Sequence, residues 1–85
     1  MDKHQCKKAI IAHLEKRAYG ATVCPSEVAR SLAETSSLSE WRKLMPVVHA
    51  AVDDLITQGT VQIGWKGKPL EQRDGPYRIR WRPEN

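Results

Sequence analysis

The spacing of apolar residues changes at Gly59, and this change limits the folds open to the chain. Before Gly59, apolar residues recur every three or four positions, as on one face of an α-helix. After it, they alternate with polar residues, as in strands that are buried on one face. We therefore expect the 85 residues to form a single α+β domain, residues 1–85, with helices first and a sheet last.

Three helices are predicted before Gly59, over about residues 3–18, 25–34 and 40–58. Pro25 fits the first position of the second helix, where a missing N–H does no harm. Pro46 raises a question, because a proline inside a helix costs about 3 kcal/mol. The third segment is either one helix kinked at Pro46, or a short turn over "EWRKLM" followed by a helix that begins near Pro46. We favour the second interpretation, since proline prefers first helical positions.

Two antiparallel strands are predicted after Gly59, over about residues 60–65 and 77–82. The segment between them, "KGKPLEQRDGP", is rich in glycine, proline and charge, and we expect it to project as an extended loop. Thr22 and Val23 are consistent with one further, very short strand. The inward side chains are predicted to meet in one core: Leu14, Val28, Leu32, Val48, Leu55, Ile63 and Ile79.

This order of elements is that of a winged helix-turn-helix domain: three helices plus a C-terminal antiparallel β-hairpin, the wing. In such a domain the third helix is the recognition element and the hairpin loop is the tip of the wing.

The formal net charge of +4 favours a polyanionic partner. The start of the chain lacks a continuous apolar run, and no stretch is long enough to span a membrane. We therefore expect a cytoplasmic protein with no membrane partner, in which Cys6 and Cys24 are free thiols.

Three stretches of the sequence, "CPSEVAR", "WRKLMPVVHAAVDDLITQG" and "GPYRIRW", resemble a family of small bacterial winged-helix domains of unknown function. The resemblance covers about residues 8–82 and implies the winged-helix fold. It brings no activity with it. The stretch "VVHAAVDDLITQGTV" also looks like the recognition helix and first wing strand of many bacterial transcription regulators. It departs from them because its exposed side carries few polar residues.

The predicted DNA-binding residues fall into two groups. The first lies at the third helix, where His49 is the one plausible base reader. Asp53 could accept a hydrogen bond from cytosine, but it would also repel phosphate. The second is the wing loop, whose basic side chains either bind phosphates or only keep the loop soluble. The full set is Arg42, Lys43, Val47, His49, Lys66, Lys68 and Arg73. Arg78, Arg80 and Arg82 form a separate row on the outward sheet face, and Trp41, Trp65 and Cys24 are expected to serve packing.

An enzyme is not expected, because the adjacent Asp53 and Asp54 point about 100° apart on a helix and cannot face each other. No cofactor is predicted. No metal site is predicted either, since His4, Cys6, His13 and Cys24 lack the paired spacing of zinc ligands.

Two functions follow from these patterns. The first is a non-catalytic nucleic-acid-binding module that binds DNA and has a role in transcription. The alternative is a protein–protein interaction module that has kept the winged-helix frame and lost DNA reading, since Val47 and Ala50 suit an apolar protein contact. In either case so small a surface predicts a monomer or a weak homodimer.

Overall fold

A computed structural model describes residues 1–36 and 40–83. Within these residues, three α-helices pack on one antiparallel sheet of three strands, which confirms the predicted α+β class. The helices are α1 (Lys3–Glu15), α2 (Pro25–Thr35) and α3 (Met45–Thr57), and the strands are β1 (Val61–Trp65), β2 (Lys68–Leu70) and β3 (Arg78–Trp81). A 3-10 helix over Trp41–Leu44 leads directly into α3. None of the helices in the described segments has the length and apolar character needed to cross a membrane.

Local hydrogen bonds set the limits of α1. Asp2 and Gln5 form a reciprocal capping box, in which the Asp2 carboxylate accepts from the Gln5 N–H at 2.8 Å. The helix ends at Glu15, short of the predicted residue 18. Residues 16–18 are exposed and add no apolar side chain to the core, so packing does not extend the helix through them.

Pro46 is the second residue of α3, and the third segment is divided as the favoured interpretation predicts. The first four N–H groups of a helix have no partner within it, so Pro46 removes no helical hydrogen bond. A single helix over 40–58 is therefore wrong, because residues 41–44 form the separate 3-10 helix. The end of α3 is a Schellman motif: Gly59, at φ +75°, donates to Ile56 at 3.0 Å, and Thr60 donates to Leu55 at 2.9 Å.

The strands lie in the order β2–β1–β3. Ile63 of β1 pairs with Ile79 of β3, which confirms the predicted pairing of these two strands. The predicted short strand at Thr22 and Val23 is a single bridge, in which Val23 pairs with Ile79. Val23 thus extends the sheet beyond β3.

The expectation of an extended loop between the two predicted strands is wrong. Lys66 and Gly67 form a two-residue turn with positive φ at both positions, 52° and 81°, as type I′ hairpin turns require. The chain then returns along β1 as β2, with Pro69 opposite Gly64. Proline is tolerated there because β2 is an edge strand and its missing N–H faces no partner strand.

The core is continuous from the helices to the sheet. Of the predicted core residues, all are buried except Leu32, which is half-buried and packs against the rest. Tyr77, only 4% exposed, is a core residue that the prediction left out. It lies just before β3 and supplies one of the few aromatic rings of a chain that has no phenylalanine.

Candidate nucleic-acid interface

Asp53 of α3 is neutralised within the fold by Arg73. The guanidinium donates two hydrogen bonds to the carboxylate, from Nε to Oδ1 at 2.7 Å and from Nη2 to Oδ2 at 2.8 Å. These hydrogen bonds hold the pKa of Asp53 below its usual range. Arg73 therefore lies against α3. The sequence analysis had placed it at the tip of the wing loop, and that prediction is wrong. The paired carboxylate repels phosphate far less than the free one assumed from the sequence.

Asp54 is neutralised as well, by two lysines of α1. Its Oδ2 lies 2.9 Å from the Lys3 Nζ and 3.0 Å from the Lys7 Nζ. Hydrogen bonds from these two ammonium groups lower the pKa of Asp54. Both acidic side chains of α3 are thus used to hold other segments against the helix.

The sequence suggested that His49 lies on the open face of α3, and the structure does not place it there. Its side chain is half-buried, and Nδ1 lies 2.6 Å from the Tyr77 hydroxyl oxygen. Burial lowers the pKa of His49, the nearby Arg73 lowers it further, and Asp53 opposes both. A ring nitrogen held by Tyr77 is not available to a base edge, so His49 is poorly placed as a base reader.

The remaining open surface of α3 offers little for base recognition. Its sequence, "MPVVHAAVDDLIT", contains no Arg, Lys, Asn or Gln, the residues that most often pair with base edges. Val47 is half-buried and packs against the core. Pro46 and Thr57 are exposed at opposite ends of the helix. The open surface of α3 therefore lacks the side chains that most often recognise bases.

Four predicted site residues remain open to solvent. Arg42 and Lys43 lie on the 3-10 helix before α3, and Lys66 and Lys68 lie at the β1–β2 turn. Within residues 1–36 and 40–83, none of the four forms an ion pair with an acidic side chain. The Arg42 guanidinium lies 4.6 Å from the centre of the Trp41 ring, a contact that leaves its N–H groups free to bind phosphate.

The expected packing role fits Trp41 better than it fits Trp65 or Cys24. Trp41 is half-buried against the core, and Arg30 also lies over its ring at 4.5 Å. Trp65 is 39% exposed, so the rest of the fold covers only part of its ring. Cys24 does not point into the core. Its Sγ lies 3.0 Å from the Ser26 hydroxyl, and although burial opposes ionisation, the hydrogen bonds from Ser26 and Glu27 lower the pKa of the thiol.

The outward sheet face carries side chains that the sequence analysis set aside. Arg78 donates from Nε to the Thr22 hydroxyl at 2.7 Å, and Arg80 lies beside it on the same face. Strand alternation places both arginines there, but no sequence pattern indicates that they line a pocket. Among the described residues, no group of three or more His, Cys, Asp or Glu side chains is arranged to hold a metal ion.

The geometry defines a small α+β domain in which both acidic residues of α3 form ion pairs within the fold. The family described as "Protein of unknown function (DUF3253)" matches residues 3–82, so the chain belongs to this family. A comparison with curated protein sequences finds no match.

Proposed function

We propose that the protein is a winged-helix module that binds duplex DNA through phosphate contacts, with little discrimination between sequences. The topology supports the winged-helix part of the proposal. In that fold the last strand lies between a short first strand and the first strand of the hairpin, and here β3 lies between Val23 and β1. β2 is then an addition at the outer edge of the wing.

The observation that carries the proposal is the division of charge. Asp53 and Asp54 form ion pairs with basic side chains of the protein itself. By contrast, the basic side chains before α3 and at the β1–β2 turn are exposed. In a winged-helix domain, the first of these segments lies beside the recognition helix and the second belongs to the wing. Basic side chains in such places bind phosphates, which position a protein on a duplex without reading its sequence.

Low sequence discrimination follows from the chemistry of α3. Direct reading needs donors and acceptors that reach base edges, and the polar side chains of α3 are engaged within the fold. The Nδ1 of His49 lies beside the Tyr77 hydroxyl, Asp53 and Asp54 are ion-paired, and the Thr57 hydroxyl donates to the Asp53 carbonyl. A role in transcription is a prediction that rests on this DNA binding.

Fluorescence anisotropy with two labelled duplexes of unrelated sequence tests the proposal. Four phosphate contacts predict a slope of about −3.6 in log affinity against log salt concentration. We expect similar affinities for both duplexes at each salt concentration. A folded protein that binds neither duplex at low salt would contradict the proposal, and a strong preference for one duplex would contradict the non-reading role of α3.

A protein-interaction module is the second candidate, favoured by the apolar patch of Val47 and Ala50 on α3. Both residues are half-buried and lie where a reading helix would carry polar side chains. If this function is correct, Val47→Glu should abolish capture of a cellular partner while the domain stays folded, and it should leave DNA affinity at the wild-type level after correction for the added charge.

A further inference from the structure

A pocket of about 370 Å³ lies on the outward face of the sheet and borders the β1–β2 turn. The strand register shows which side chains face it, because residues paired across strands point to the same side of a sheet. Trp65 and Lys68 pair with each other and alternate onto the opposite face, so their side chains take no part. The paired residues that line the pocket on the outward face are Gln62, Gly64, Pro69, Arg78 and Arg80.

Gly64 leaves the space that the pocket occupies. It pairs with Arg78 of β3, so Arg78 has bare backbone and no side chain as its neighbour on β1. A Cβ at Gly64 would lie 2.8 Å from the Lys68 carbonyl oxygen, and the close approach of β2 therefore excludes any side chain there. The glycine keeps a gap open beside Arg78, and Arg80 also borders this gap.

Arg78 is held in place by Thr22. Its Nε donates to the Thr22 hydroxyl at 2.7 Å, and its Nη2 donates to the Thr22 carbonyl oxygen at 3.2 Å. Both bonds use one edge of the guanidinium, and within residues 1–36 and 40–83 its Nη1 forms no hydrogen bond. A guanidinium that is already fixed loses little conformational entropy when its remaining N–H groups bind an anion.

Arg80 carries a donor that lacks an acceptor. Its side chain is half-buried, and its Nε is buried with no hydrogen-bond partner among the described residues. A buried donor left unpaired is costly, and an acceptor bound in the pocket would remove this cost after a small rotation of the side chain. No acidic side chain of the described segments lines the pocket, so neither arginine has a carboxylate partner there. The pocket therefore favours an anion.

We propose that this pocket binds a phosphate group, either as inorganic phosphate or as the phosphate monoester of a small molecule. Guanidinium groups pair with phosphate through parallel hydrogen bonds, and two of them match the nearly two negative charges of a monoester at neutral pH. The volume, at the small end of the range for ligand sites, admits a small organic group beside the phosphate. Arg78 and Arg80 have no part in the proposed duplex interface.

Titration with inorganic phosphate at neutral pH and constant ionic strength, followed by two-dimensional ¹⁵N–¹H NMR, tests the assignment. Phosphate should shift the Nε–H resonances of Arg78 and Arg80 together with the amide of Gly64. Acetate, which carries a single charge, should bind at least tenfold more weakly. Phenyl phosphate separates the two sources: it binds more tightly than inorganic phosphate if the natural ligand is a monoester, and no more tightly if it is free phosphate.

Arg80→Gln should weaken phosphate binding at least tenfold. Arg82→Gln is the matched control, since it removes the same charge just beyond β3 and outside the pocket. If Arg80→Gln does not fold, Thr22→Val, which removes the hydroxyl that holds Arg78, should weaken binding at least threefold. The assignment is overturned if millimolar phosphate leaves the Arg80 Nε–H unshifted, if acetate binds as tightly as phosphate, or if Arg82→Gln costs as much affinity as the pocket variants.

Duplex binding separates this site from the proposed function. Lys66→Ala/Lys68→Ala should reduce the salt dependence of duplex binding and keep the phosphate-induced shift of the Arg80 Nε–H. Arg80→Gln should do the reverse, losing phosphate binding and keeping the salt dependence of the wild type. If Lys66→Ala/Lys68→Ala also abolishes the shift of the Arg80 Nε–H, the pocket is part of the duplex interface and the assignment is wrong.

Discussion

The contact between His49 and Tyr77 links α3 to the segment that precedes β3, with Nδ1 and the hydroxyl oxygen 2.6 Å apart. The two rings lie 5.6 Å apart between centroids and are tilted by 52°, so they also pack against each other. Burial of Tyr77 raises the pKa of its hydroxyl, which therefore stays protonated and able to donate to a neutral imidazole. The contact therefore requires no charge on His49.

Stability should fall as the pH is lowered through the titration range of His49. Burial lowers the pKa of His49 from its ordinary 6.5, so the unfolded chain takes up the proton first. The free energy of unfolding is therefore highest above pH 6.5 and decreases as the pH falls towards the folded-state pKa. Urea unfolding over this range should show a smaller decrease in His49→Gln than in wild type.

His4→Gln is the control, because His4 is exposed on α1. His13 has a pKa that burial also lowers, so some pH dependence should survive in His49→Gln. If the stability of His49→Gln keeps the full pH dependence of the wild type, the conclusion that His49 is buried in its neutral form is wrong.

Among the elements, α3 begins where a proline is harmless. Pro46→Ala should change the free energy of unfolding by about 1 kcal/mol or less, because no interior clash is relieved. Ala50→Pro, inside the same helix, should cost about 3 kcal/mol or more. Thermal melts of the two variants make the comparison. Strong stabilisation by Pro46→Ala would mean that the helix is strained at its start.

The segment between β2 and β3 is fastened to α3 by the pair of Arg73 and Asp53. Arg73→Ala should cost about 0.2–1 kcal/mol, since both side chains are partly exposed. Amide hydrogen exchange should become faster over residues 71–76, whereas Arg82→Ala should leave exchange there unchanged. Wild-type exchange rates in Arg73→Ala would show that the ion pair does not hold this segment.

Periodicity and local signals predicted most of the elements. The change of spacing at Gly59, the glycine cap and the two prolines each act over a few residues, and so they can be recognised in the sequence alone. β2 was missed because Pro69 argues against a strand, and because the turn places Lys66, a residue with a Cβ, at positive φ. Only the pairing with β1 compensates for these local penalties.

The candidate site was harder to predict because its charges are set by distant pairs. Asp53 and Arg73 are 20 residues apart, and their contact depends on how the β2–β3 segment crosses α3. The partner of His49 lies 28 residues away. Alternation correctly indicates the faces of Arg78 and Arg80, but the pocket between them depends on the return of β2, which the sequence did not reveal.

At the scale of the whole molecule, a single small core holds helices and sheet together. Val48 is fully buried at its centre, so Val48→Asp should place an unpaired charge there and unfold a domain of marginal stability. Val47→Asp, one residue away and half-buried, should cost clearly less. Circular dichroism melts distinguish the two, and an unchanged cooperative melt for Val48→Asp would refute the core assignment.

Both acidic residues of α3 form ion pairs within the fold, whereas basic side chains just before α3 and at the β1–β2 turn are exposed. This division is the central claim behind the proposed DNA binding. It also explains why a helix that carries two adjacent carboxylates need not be repelled by a phosphate backbone, because each carboxylate already has a cation of the protein as its partner.

The salt dependence of duplex binding by Lys66→Ala/Lys68→Ala tests this claim most directly. Each lysine that neutralises a phosphate contributes about 0.9 to the slope of log affinity against log salt concentration. The double variant should therefore have a slope about 2 units shallower than wild type, with equal weakening for unrelated duplex sequences. Lys8→Ala/Lys16→Ala, which removes the same charge from exposed positions on and just after α1, should leave the slope unchanged. Equal slopes for wild type and Lys66→Ala/Lys68→Ala would contradict the account.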